Sequence, residues 1–461
     1  MRAMAANPTA QRPRPKPGDE VEVTIESLAH GGAGVGRSEG FVVFVRGVVP
    51  GDRVRARIEK AKRSFAEARL VELLEPSADR IEPRSAHPGA PWQVLPYERQ
   101  LEEKEKQVRD ALTRLGGFEE PPVQPIVPAV EQWRYRNKVE YSFGQSETGE
   151  LTLGFHRAGR WDLIDPIAED ILASERVDAL REAVLAWCRQ QGLPAYDRRD
   201  QTGFLRNLVV REGRRTGTLQ ARLVTSSGRP FPHDEFAAAL EADSVLWTQI
   251  EGVAETTQGG KTKTLTGSPA LPEQLELGGT TLSFEISPDA FFQTNTEMAE
   301  RLYATAAEMA GLTGRERVFD LFCGIGTISL ALALDSAEVI GVEVVERAVA
   351  DAIENAKKNG VDNARFYAGD IRTAMRPLIE AEGTADVVVV DPPRAGLSQK
   401  VVRRVLEAEA ARIVFVSCNP TTLAPNARQM VEAGYELKAV RPVDMFPQTP
   451  HIECVAVLDK S

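Results

Sequence analysis

The stretch that decides the fold is VFDLFCGIGTISLALA, residues 318–333. Its apolar first part predicts a buried strand that ends at Phe322, and its last part predicts a helix. Gly324 and Gly326 lie between the two. Glycines in such a turn let the backbone approach a ligand closely, and a helix N-terminus presents free N–H groups. A single Gly-x-Gly is weak evidence for a ligand, so its surroundings decide its meaning.

Apolar runs of strand length continue beyond this turn and alternate with helical segments. The runs are AEVIGVEV, ADVVVVDPP, ARIVFVSC and ECVAVLD, and ERAVADAIENAKKNG is one of the helical segments. This alternation predicts an α/β domain with a doubly wound, Rossmann-like parallel sheet over residues 286–461. Ligands of such sheets bind at the carboxyl ends of the strands.

Composition restricts the class of protein. The chain has 461 residues, 42% of them hydrophobic and 27% charged, so we expect several globular domains. It has no uncharged apolar run of about 18 residues, so we expect no membrane span. Residues 1–15 lack an apolar segment, which predicts a disordered tail rather than a signal peptide. The net charge of −11 argues against a general polyanion binder but is compatible with a local basic surface.

The cysteines and histidines indicate the compartment and the metal content. Four cysteines far apart in the chain fit a reducing cytoplasm better than a disulfide scaffold: Cys188, Cys323, Cys418 and Cys454. The five histidines are scattered, and no Cys-x-x-Cys or His-Glu-x-x-His pair is present, so we predict no metal site.

The N-terminal part predicts a small β-barrel over residues 16–75, with short strand-like runs separated by Gly-rich turns. The stretch RVRARIEKAKRSFAEAR, residues 53–69, carries seven Lys or Arg against two Glu. A basic face on a small barrel is typical of nucleic-acid binding. The alternative is an ordinary solvated strand face, and both interpretations remain open.

Residues 76–285 predict an α+β domain, and a function of this domain in RNA binding rests on a family resemblance rather than on this pattern. A helix over residues 97–115 is a candidate for packing on the C-terminal domain. Basic residues lie at predicted strand ends: Arg134, Arg136, Lys138, Arg206 and Arg211.

Two carboxylates after the glycine turn predict a nucleoside-binding site. Glu343 ends the next strand, where it can accept hydrogen bonds from both hydroxyls of a ribose. Asp370 follows a third strand, where it can meet an adenine amino group. The turn has no longer phosphate-binding fingerprint and no P-loop Lys. A nucleoside without pyrophosphate fits better, which favours S-adenosylmethionine over a dinucleotide.

Asp391 and Cys418 follow two further strands and predict the reacting half of the site. Pro392 and Pro393 stiffen the strand exit and direct Asp391 into the cleft. A buried core cysteine remains a fair interpretation of Cys418, since free cysteines are among the most buried residues. Its position at a strand end beside a methyl-donor turn favours a nucleophile instead.

A thiol beside a methyl donor suits pyrimidine chemistry, because carbon 5 becomes nucleophilic only after carbon 6 is attacked. The carbon-5 proton must then be removed by a base. Glu453 begins the last strand between apolar residues that can raise its pKa, and is the candidate for that base.

Four motifs together resemble the S-adenosylmethionine-dependent RNA (uracil-5-)methyltransferases: DLFCGIGTISLALA, DPPRAGL, VSCNPTTLAPN and FPQTPHIECVAVL. WRYRNKVEYSF, FLRNLVVREG and SPDAFFQTN resemble the central domain of the same family, and residues 16–75 resemble a TRAM domain. The resemblance covers nearly the whole chain from residue 18. It implies a class I methyltransferase fold and methyl transfer to carbon 5 of a uridine in RNA. The TRAM domain implies 23S ribosomal RNA, since it is common in that branch.

The resemblance also assigns residues. It implies that Cys418 is the nucleophile and Glu453 the proton acceptor. Thr327 stands where many relatives have Asn in the cofactor turn, which implies a weaker cofactor contact. The other residues implied to line the methyl-donor site are Gln293, Phe322, Glu343, Asp370 and Asp391.

The chain departs from the family where many TRAM-bearing relatives hold a four-iron cluster on four cysteines. The corresponding stretch EPRSAHPGAPWQVLPYERQ has no cysteine; Ser85 stands at the first ligand position and Ile171 at the fourth. A cluster needs about four thiolates, and Cys188 alone cannot supply them. We therefore predict no iron–sulfur cluster, and expect Trp92 to anchor the loop over residues 80–95.

Other functions are compatible with parts of this pattern. An RNA cytosine-5 methyltransferase typically has a cysteine directly after its Pro-Pro motif, where this chain has Arg394. A non-catalytic RNA-binding assembly factor and a transfer-RNA uracil-5-methyltransferase remain alternatives. A small-molecule methylase is disfavoured, because it would not need the barrel. We expect a cytoplasmic monomer with RNA as its partner and no membrane contact.

Overall fold

A computed structural model describes residues 14–146, 148–157, 159–160, 162–253 and 256–461. Most of the predicted disordered tail, residues 1–13, lies outside this part. No helix among the described residues is both long and apolar enough to cross a membrane.

The N-terminal part forms a closed barrel with the strand order β1-β2-β3-β5-β4. Alternate residues of these strands fill the interior with Val, Ile and Ala side chains, including Val43, Val54 and Ala66, which are fully buried. The strands are β1 (Glu20–Leu28), β2 (Gly34–Ser38), β3 (Phe41–Arg46), β4 (Arg53–Ala61) and β5 (Phe65–Glu75).

Most exposed arginines of the barrel strands are paired with carboxylates from neighbouring strands. Arg53 lies 2.8 Å from Glu22 and 2.5 Å from Glu75, and Arg57 lies 2.6 Å from Glu20. The other ion pairs of the stretch 53–69 are Arg55 with Glu72, Lys60 with Glu67 and Arg69 with Glu59. Lys62 and Arg63, at the β4–β5 turn, form no ion pair with any described residue. The basic face predicted from the local sequence is therefore largely neutralised.

The central part contains a mixed sheet with the order β12-β11-β10-β9-β6-β7-β8. Helix α2 and helix α3 cover one face and close a core that includes Cys188. Its strands are β6 (Lys138–Gln145), β7 (Leu151–His156), β8 (Ile164–Pro166), β9 (Leu205–Glu212), β10 (Leu219–Ser226), β11 (Ser244–Ile250) and β12 (Lys261–Thr266); its helices are α2 (Glu175–Gln190) and α3 (His233–Ala238).

The other face of this sheet is covered in part by a loop of the C-terminal part. Arg211 donates to the carbonyl of Ala290 at 2.7 Å, and Arg222 donates to Asp289 at 2.6 Å. Burial among these groups lowers the pKa of Arg211 to about 10. Arg211, predicted to lie at a strand end, and Arg222, which was not among the predicted residues, thus hold two domains together.

The C-terminal part contains the predicted doubly wound sheet, with the order β17-β16-β15-β18-β19-β21-β20. Six of its seven strands run in the same direction, and β21 runs antiparallel to both β19 and β20. The strands are β15 (Arg317–Leu321), β16 (Glu338–Glu343), β17 (Ala364–Ala368), β18 (Val387–Val390), β19 (Arg412–Ser417), β20 (Tyr435–Val443) and β21 (Glu453–Lys460). The helices are α4 (Thr296–Ala310), α5 (Thr327–Ala333), α6 (Glu346–Lys358), α7 (Ile371–Glu382), α8 (Gln399–Glu407) and α9 (Pro420–Glu432).

Two earlier elements complete the faces of this sheet. Helix α1 (Tyr97–Arg114) buries Val108 and Leu112 against α9 and the strands, as its predicted packing required. The hairpin β13 (Leu271–Leu277) and β14 (Thr280–Ile286) packs on the opposite face beside α4 and α6.

Residues 444–451, named here the 444–451 segment, connect β20 to β21 and are held by every part of the chain. Buried Lys104 of α1 lies 2.5 Å from Asp444, and Gln100 exchanges two hydrogen bonds with Gln448 at 2.8 and 2.9 Å. Tyr135 of the central part donates to the carbonyl of Pro447 at 3.0 Å.

The barrel and the loop that follows it also reach this segment. A Cβ atom on Gly32 of the β1–β2 turn would lie 2.9 Å from Pro450. The backbone N–H of Trp92 donates to the carbonyl of Gln448 at 3.0 Å. Trp92 is 2% exposed and packs with Leu28 and Val49 of the barrel, so it anchors its loop as predicted.

Candidate active site

The predicted site residues lie at one edge of the catalytic sheet. Phe322 comes directly after β15, Glu343 ends β16, and Asp391 and Cys418 follow β18 and β19. Ser417 stands opposite Cys454 in the antiparallel pair of β19 and β21. This direction brings Glu453, the first residue of β21, to the edge where β19 ends. Cys418 and Glu453 are 35 positions apart in the sequence, but this pairing makes them neighbours on two adjacent strands.

The turn after β15 is held in a strained conformation. Phe322 has a φ of +71°, a left-handed conformation that is uncommon for a bulky residue. Gly326 has a φ of +85°, and a Cβ there would lie 3.1 Å from the ring of Phe366. Strain of this kind is concentrated at ligand-binding sites. The turn therefore presents a bare backbone, close enough for a ligand to contact.

Glu343 is fixed against this turn. Its carboxylate accepts hydrogen bonds from the backbone N–H groups of Gly324 at 3.2 Å and Val345 at 2.9 Å. A carboxylate has about four lone-pair positions, so acceptor capacity remains for hydroxyl groups. The structure thus holds Glu343 in place for the ribose contact expected of it.

Asp370 has a structural function that the sequence did not indicate. It is the N-cap of α7, where it accepts from the backbone N–H of Arg372 at 2.9 Å, and the guanidinium of Arg372 contacts both of its oxygens. These hydrogen bonds lower the pKa of Asp370 to about 2. Asp370 is therefore a permanently charged group, and its predicted contact with adenine must share the carboxylate with Arg372.

Thr327 and Gln293 lie on the side of the site formed by α4. Thr327 begins α5 and donates to the hydroxyl of Tyr303, a buried residue of α4, at 3.2 Å. Gln293 is buried in the loop between β14 and α4. Its backbone carbonyl accepts from the side chain of Asn137 at 2.9 Å, so the central domain positions this loop.

The carboxyl groups of the reacting half have raised pKa values. Burial raises the pKa of Asp391 to about 7, and the charge of nearby Asp320 adds to this effect. Burial also raises the pKa of Glu453 well above its usual value, with a further contribution from Asp391. A carboxyl group with such a pKa can take up and release a proton near neutral pH.

Cys418 is half-buried, and its thiol is difficult to ionise in the protein alone. Burial raises its pKa to about 11, and the negative charges of Glu453 and Asp391 act in the same direction. The positive charge of Arg394 opposes them. Neighbouring Asn419 caps α9 and donates to the carbonyl of Arg394 at 3.1 Å, which ties the loop after β18 to the end of β19.

Sequence reasoning missed some of the residues at this edge. Asp320 is fully buried in β15, accepts from the hydroxyl of Ser329, and has a pKa raised to about 7 by burial. The sequence contains one signal for Asp320, because it is a charged residue within the otherwise apolar run VFDLF. Arg394 and His451 lie 3.4 Å apart across the reacting half, and no pattern in the sequence related them.

The loop after the barrel is packed without cysteine. Ser85 has a buried hydroxyl without a hydrogen-bond partner, and Ile171 packs with Tyr135 in a small apolar cluster. Buried His87 contacts Asp170 at 3.1 Å, and Asp170 also accepts from the hydroxyl of Tyr141 at 2.7 Å. The described residues contain no group of three or more side chains placed to hold a metal ion. The absence of a cluster stays a prediction.

The residues of the edge fit S-adenosylmethionine. The turn at Gly324 and Gly326 is open to a ligand, Glu343 retains acceptor capacity for a ribose, and Asp370 is ionised beside them. Gln293 and Thr327 provide polar groups on the α4 side. No cysteine or histidine cluster that would indicate a different cofactor lies among these described residues.

Comparison with known proteins agrees with this geometry. The family model described as tRNA (Uracil-5-)-methyltransferase matches residues 96–461, and the TRAM domain model matches residues 14–71. An uncharacterized RNA methyltransferase of Halalkalibacterium halodurans is 38% identical over 454 residues, which covers 96% of this chain and 97% of that protein. One of Gloeobacter violaceus is 38% identical over 457 residues, with the same shares of each chain.

One solved structure is similar over nearly the whole length. The tRNA (uracil-54, C5)-methyltransferase of Pyrococcus abyssi, in complex with S-adenosyl-L-homocysteine, has a TM-score of 0.76 and 28% identity. The match covers 95% of this chain and 100% of that chain.

Proposed function

This chain belongs to the RNA (uracil-5-)methyltransferase family, and we propose that it methylates carbon 5 of a uridine in 23S ribosomal RNA through an adduct of Cys418. The predicted family, the N-terminal TRAM domain, the enzyme class and S-adenosylmethionine as methyl donor are confirmed. The RNA, the covalent mechanism and the roles of single residues are the content of the proposal.

The observation that carries the mechanism is the meeting of Cys418 and Glu453 across β19 and β21. The Cys418 thiolate forms a bond to carbon 6 of the uracil, and the carbon 5–carbon 6 π electrons move to carbon 5 and the carbonyl. S-adenosylmethionine, when bound, supplies an electrophilic methyl group for carbon 5. Glu453 then takes the proton from carbon 5, the bond between sulfur and carbon 6 breaks, and the electron pair returns to Cys418.

The electrostatics of the reacting half supports these roles. Burial raises the pKa of Glu453 well above its usual value, so its carboxylate binds a proton more strongly than an exposed carboxylate does. The Cys418 thiol, with a pKa of about 11, is mostly protonated before RNA binds. Arg394 is the positive charge that favours its thiolate form. The species that attacks carbon 6 is therefore the small deprotonated fraction of Cys418, whose proton is released to solvent.

Contacts with the methyl donor are assigned to six residues: Gln293, Phe322, Thr327, Glu343 and Asp370 of the methyl-donor half, and Asp391 of the reacting half. The resemblance of the motifs and the positions of these residues at the edge of the sheet support this assignment. Asp391 also lies near the reacting residues, since its charge raises the pKa values of both Cys418 and Glu453.

The choice of 23S ribosomal RNA depends on the TRAM domain, which is common in that branch of the family. Transfer RNA is the second candidate, because the Pyrococcus abyssi enzyme described above acts on it. We further propose that the protein works as a cytoplasmic monomer without an iron–sulfur cluster. Iron analysis of the purified protein tests the last point, and stoichiometric iron would contradict it.

The deciding experiment uses RNA from a strain that lacks the gene. The purified protein is incubated with this RNA and S-adenosylmethionine, and 5-methyluridine is then mapped by mass spectrometry in separated ribosomal and transfer RNA. We expect new 5-methyluridine in 23S ribosomal RNA. Product in transfer RNA alone would favour the second candidate, and no product in either fraction would overturn the proposal.

A further inference from the structure

Two arginines at the mouth of the cleft differ from most arginines of this protein. Arg136 precedes β6 of the central domain, and Arg394 follows the double proline after β18. Neither forms an ion pair with a described carboxylate. The Nε atom of Arg136 is buried and has no hydrogen-bond partner among the described residues. An unpaired buried guanidinium nitrogen is costly, so a ligand that accepts its hydrogen bond is expected.

Contacts with the 444–451 segment bring these arginines together with two histidines. Arg394 lies 3.4 Å from the Nδ1 atom of His451. Tyr135, the neighbour of Arg136, donates to the carbonyl of Pro447, and Gly32, close to His30, packs on Pro450. Side chains from the barrel, the central domain and the catalytic domain thus converge on one place.

The electrostatics of this place is positive in a protein whose net charge is −11. Burial lowers the pKa of His451 to about 4, and the charges of Arg394, Arg136, Lys104 and His30 add to this effect. The pKa of His30 is lowered first by desolvation and then by Arg394. Lys104 is already paired with Asp444, so the two arginines supply the uncompensated charge.

We propose that Arg136 and Arg394, with His30 and His451 as hydrogen-bonding neighbours, bind a phosphodiester of the RNA strand next to the uridine that enters the cleft. The proposal rests on the proposed RNA substrate. A guanidinium matches the phosphate group with two parallel hydrogen bonds. A flipped nucleotide needs its backbone fixed at the entrance while its base leaves the stack. The site would also explain how all three domains contribute to one nucleotide.

The first test measures binding of a fluorescein-labelled, single-stranded, uridine-containing RNA to the full chain across a series of KCl concentrations, without methyl donor. Each phosphate contact in single strands contributes about 0.7 to the slope of log K against log salt. We expect Arg394→Gln and Arg136→Gln each to reduce the slope by about this amount and to weaken binding about tenfold at low salt.

Arg315→Gln is the matched control. Arg315 is exposed and unpaired among the described residues, but it precedes β15 and so lies at the opposite edge of the sheet. We expect it to leave slope and affinity unchanged. Arg136→Lys keeps the positive charge but lacks the planar guanidinium that can make two parallel hydrogen bonds, so its RNA affinity should be intermediate. Calorimetric binding of S-adenosylmethionine checks that each variant is folded. Because Arg394 is exposed, we expect Arg394→Gln to fold and to bind the cofactor.

The second test removes the charge from the RNA instead. The phosphate on either side of the uridine is replaced in turn by a neutral methylphosphonate. One replacement should weaken binding to the wild type but have little further effect on Arg394→Gln or Arg136→Gln, because the partner is already absent. Additive losses, or glutamine variants with the slope and affinity of Arg315→Gln, would overturn the proposal. Because no methyl transfer is measured, a failed methylation assay does not alter this result.

Discussion

The two halves of the cleft lie at the same edge of the catalytic sheet, but they hold their carboxyl groups in different environments. In the methyl-donor half, Glu343 accepts two backbone hydrogen bonds and Asp370 is bound by Arg372, which keeps its pKa low. In the reacting half, partly buried Asp391 lies near buried Glu453, and the pKa values of both are raised. The first half thus holds fixed charges, whereas the second holds protons that can move.

This difference follows from what each half must do. A cofactor site needs dipoles and charges that are already oriented, since reorganisation on binding costs affinity. A site that adds a thiol and later removes a proton needs groups whose proton affinities lie close to one another and to the working pH. Variants in the two halves should therefore fail in different ways.

The largest effect is expected for Cys418→Ala. Without the thiol no adduct forms, and methyl transfer should fall by about 10⁴-fold or more, as when another enzyme loses its covalent nucleophile. Label transfer from S-adenosylmethionine to RNA measures this loss. Calorimetry should give an unchanged cofactor affinity, and a parallel loss of that affinity would break the division between the halves.

Glu453→Gln should lower turnover by about 10³-fold, within the range of general base catalysis. The thiol can still attack and the methyl group can still be transferred, but the carbon-5 proton remains. A covalent complex of protein and methylated RNA should accumulate and be visible on a denaturing gel. Fast turnover without such a complex would assign the base to a different residue.

The rate of adduct formation should rise with pH. With the pKa of Cys418 raised to about 11, the thiolate fraction grows tenfold for each pH unit below that value. Trapping on RNA that contains 5-fluorouridine isolates this step, because fluorine cannot leave as a proton. The rate should increase roughly a hundredfold between about pH 6 and pH 8. A flat profile would mean that RNA binding itself removes the thiol proton.

Asp320→Asn should stabilise the protein. Asp320 has a folded-state pKa of about 7, above its unfolded value, so the folded state binds the extra proton between about pH 4 and pH 7. Stability from this group is therefore full at low pH and is lost as the pH rises through 7. The variant should gain about 2 kcal/mol above pH 7 and nothing near pH 4, measured by urea unfolding without cofactor. Equal gains at both pH values would contradict the buried charge as the cause.

The smallest effect is expected for Thr327→Val. It removes one hydroxyl, whose hydrogen bond to Tyr303 is 3.2 Å long. The cofactor dissociation constant should rise about threefold, in keeping with one modest hydrogen bond, while adduct formation stays unchanged. A much larger loss of cofactor affinity, again with unchanged adduct formation, would make Thr327 a principal cofactor contact. It would also separate the functions of the two halves more clearly.

The parts of the site that the sequence predicted depend on local periodicity. Runs such as VVVV before Asp391 and IVFVS before Cys418 specify strands, and a doubly wound sheet brings their ends together. The pattern predicted β21 as a strand but not its antiparallel direction, which is the reason that Glu453 stands beside Cys418.

What the sequence did not predict depends on contacts between distant segments. Counting charges in residues 53–69 suggested a basic face, but register places Glu22 and Glu75 beside Arg53. The isolated pair of Arg136 and Arg394 appears only when the central and catalytic domains meet. A count of charged residues in a stretch of sequence gives the number of charges but does not identify the residues with which they pair.

The 444–451 segment has a consequence for synthesis of the protein. Tyr97, Gln100 and Lys104 bond to partners 347, 348 and 340 residues further along the chain. At about 5–20 residues per second, these groups leave the ribosome roughly 20–70 s before their partners exist. The 444–451 segment and β21, with Glu453, therefore join the fold only after the barrel, the central domain and the other strands of the catalytic sheet have been made.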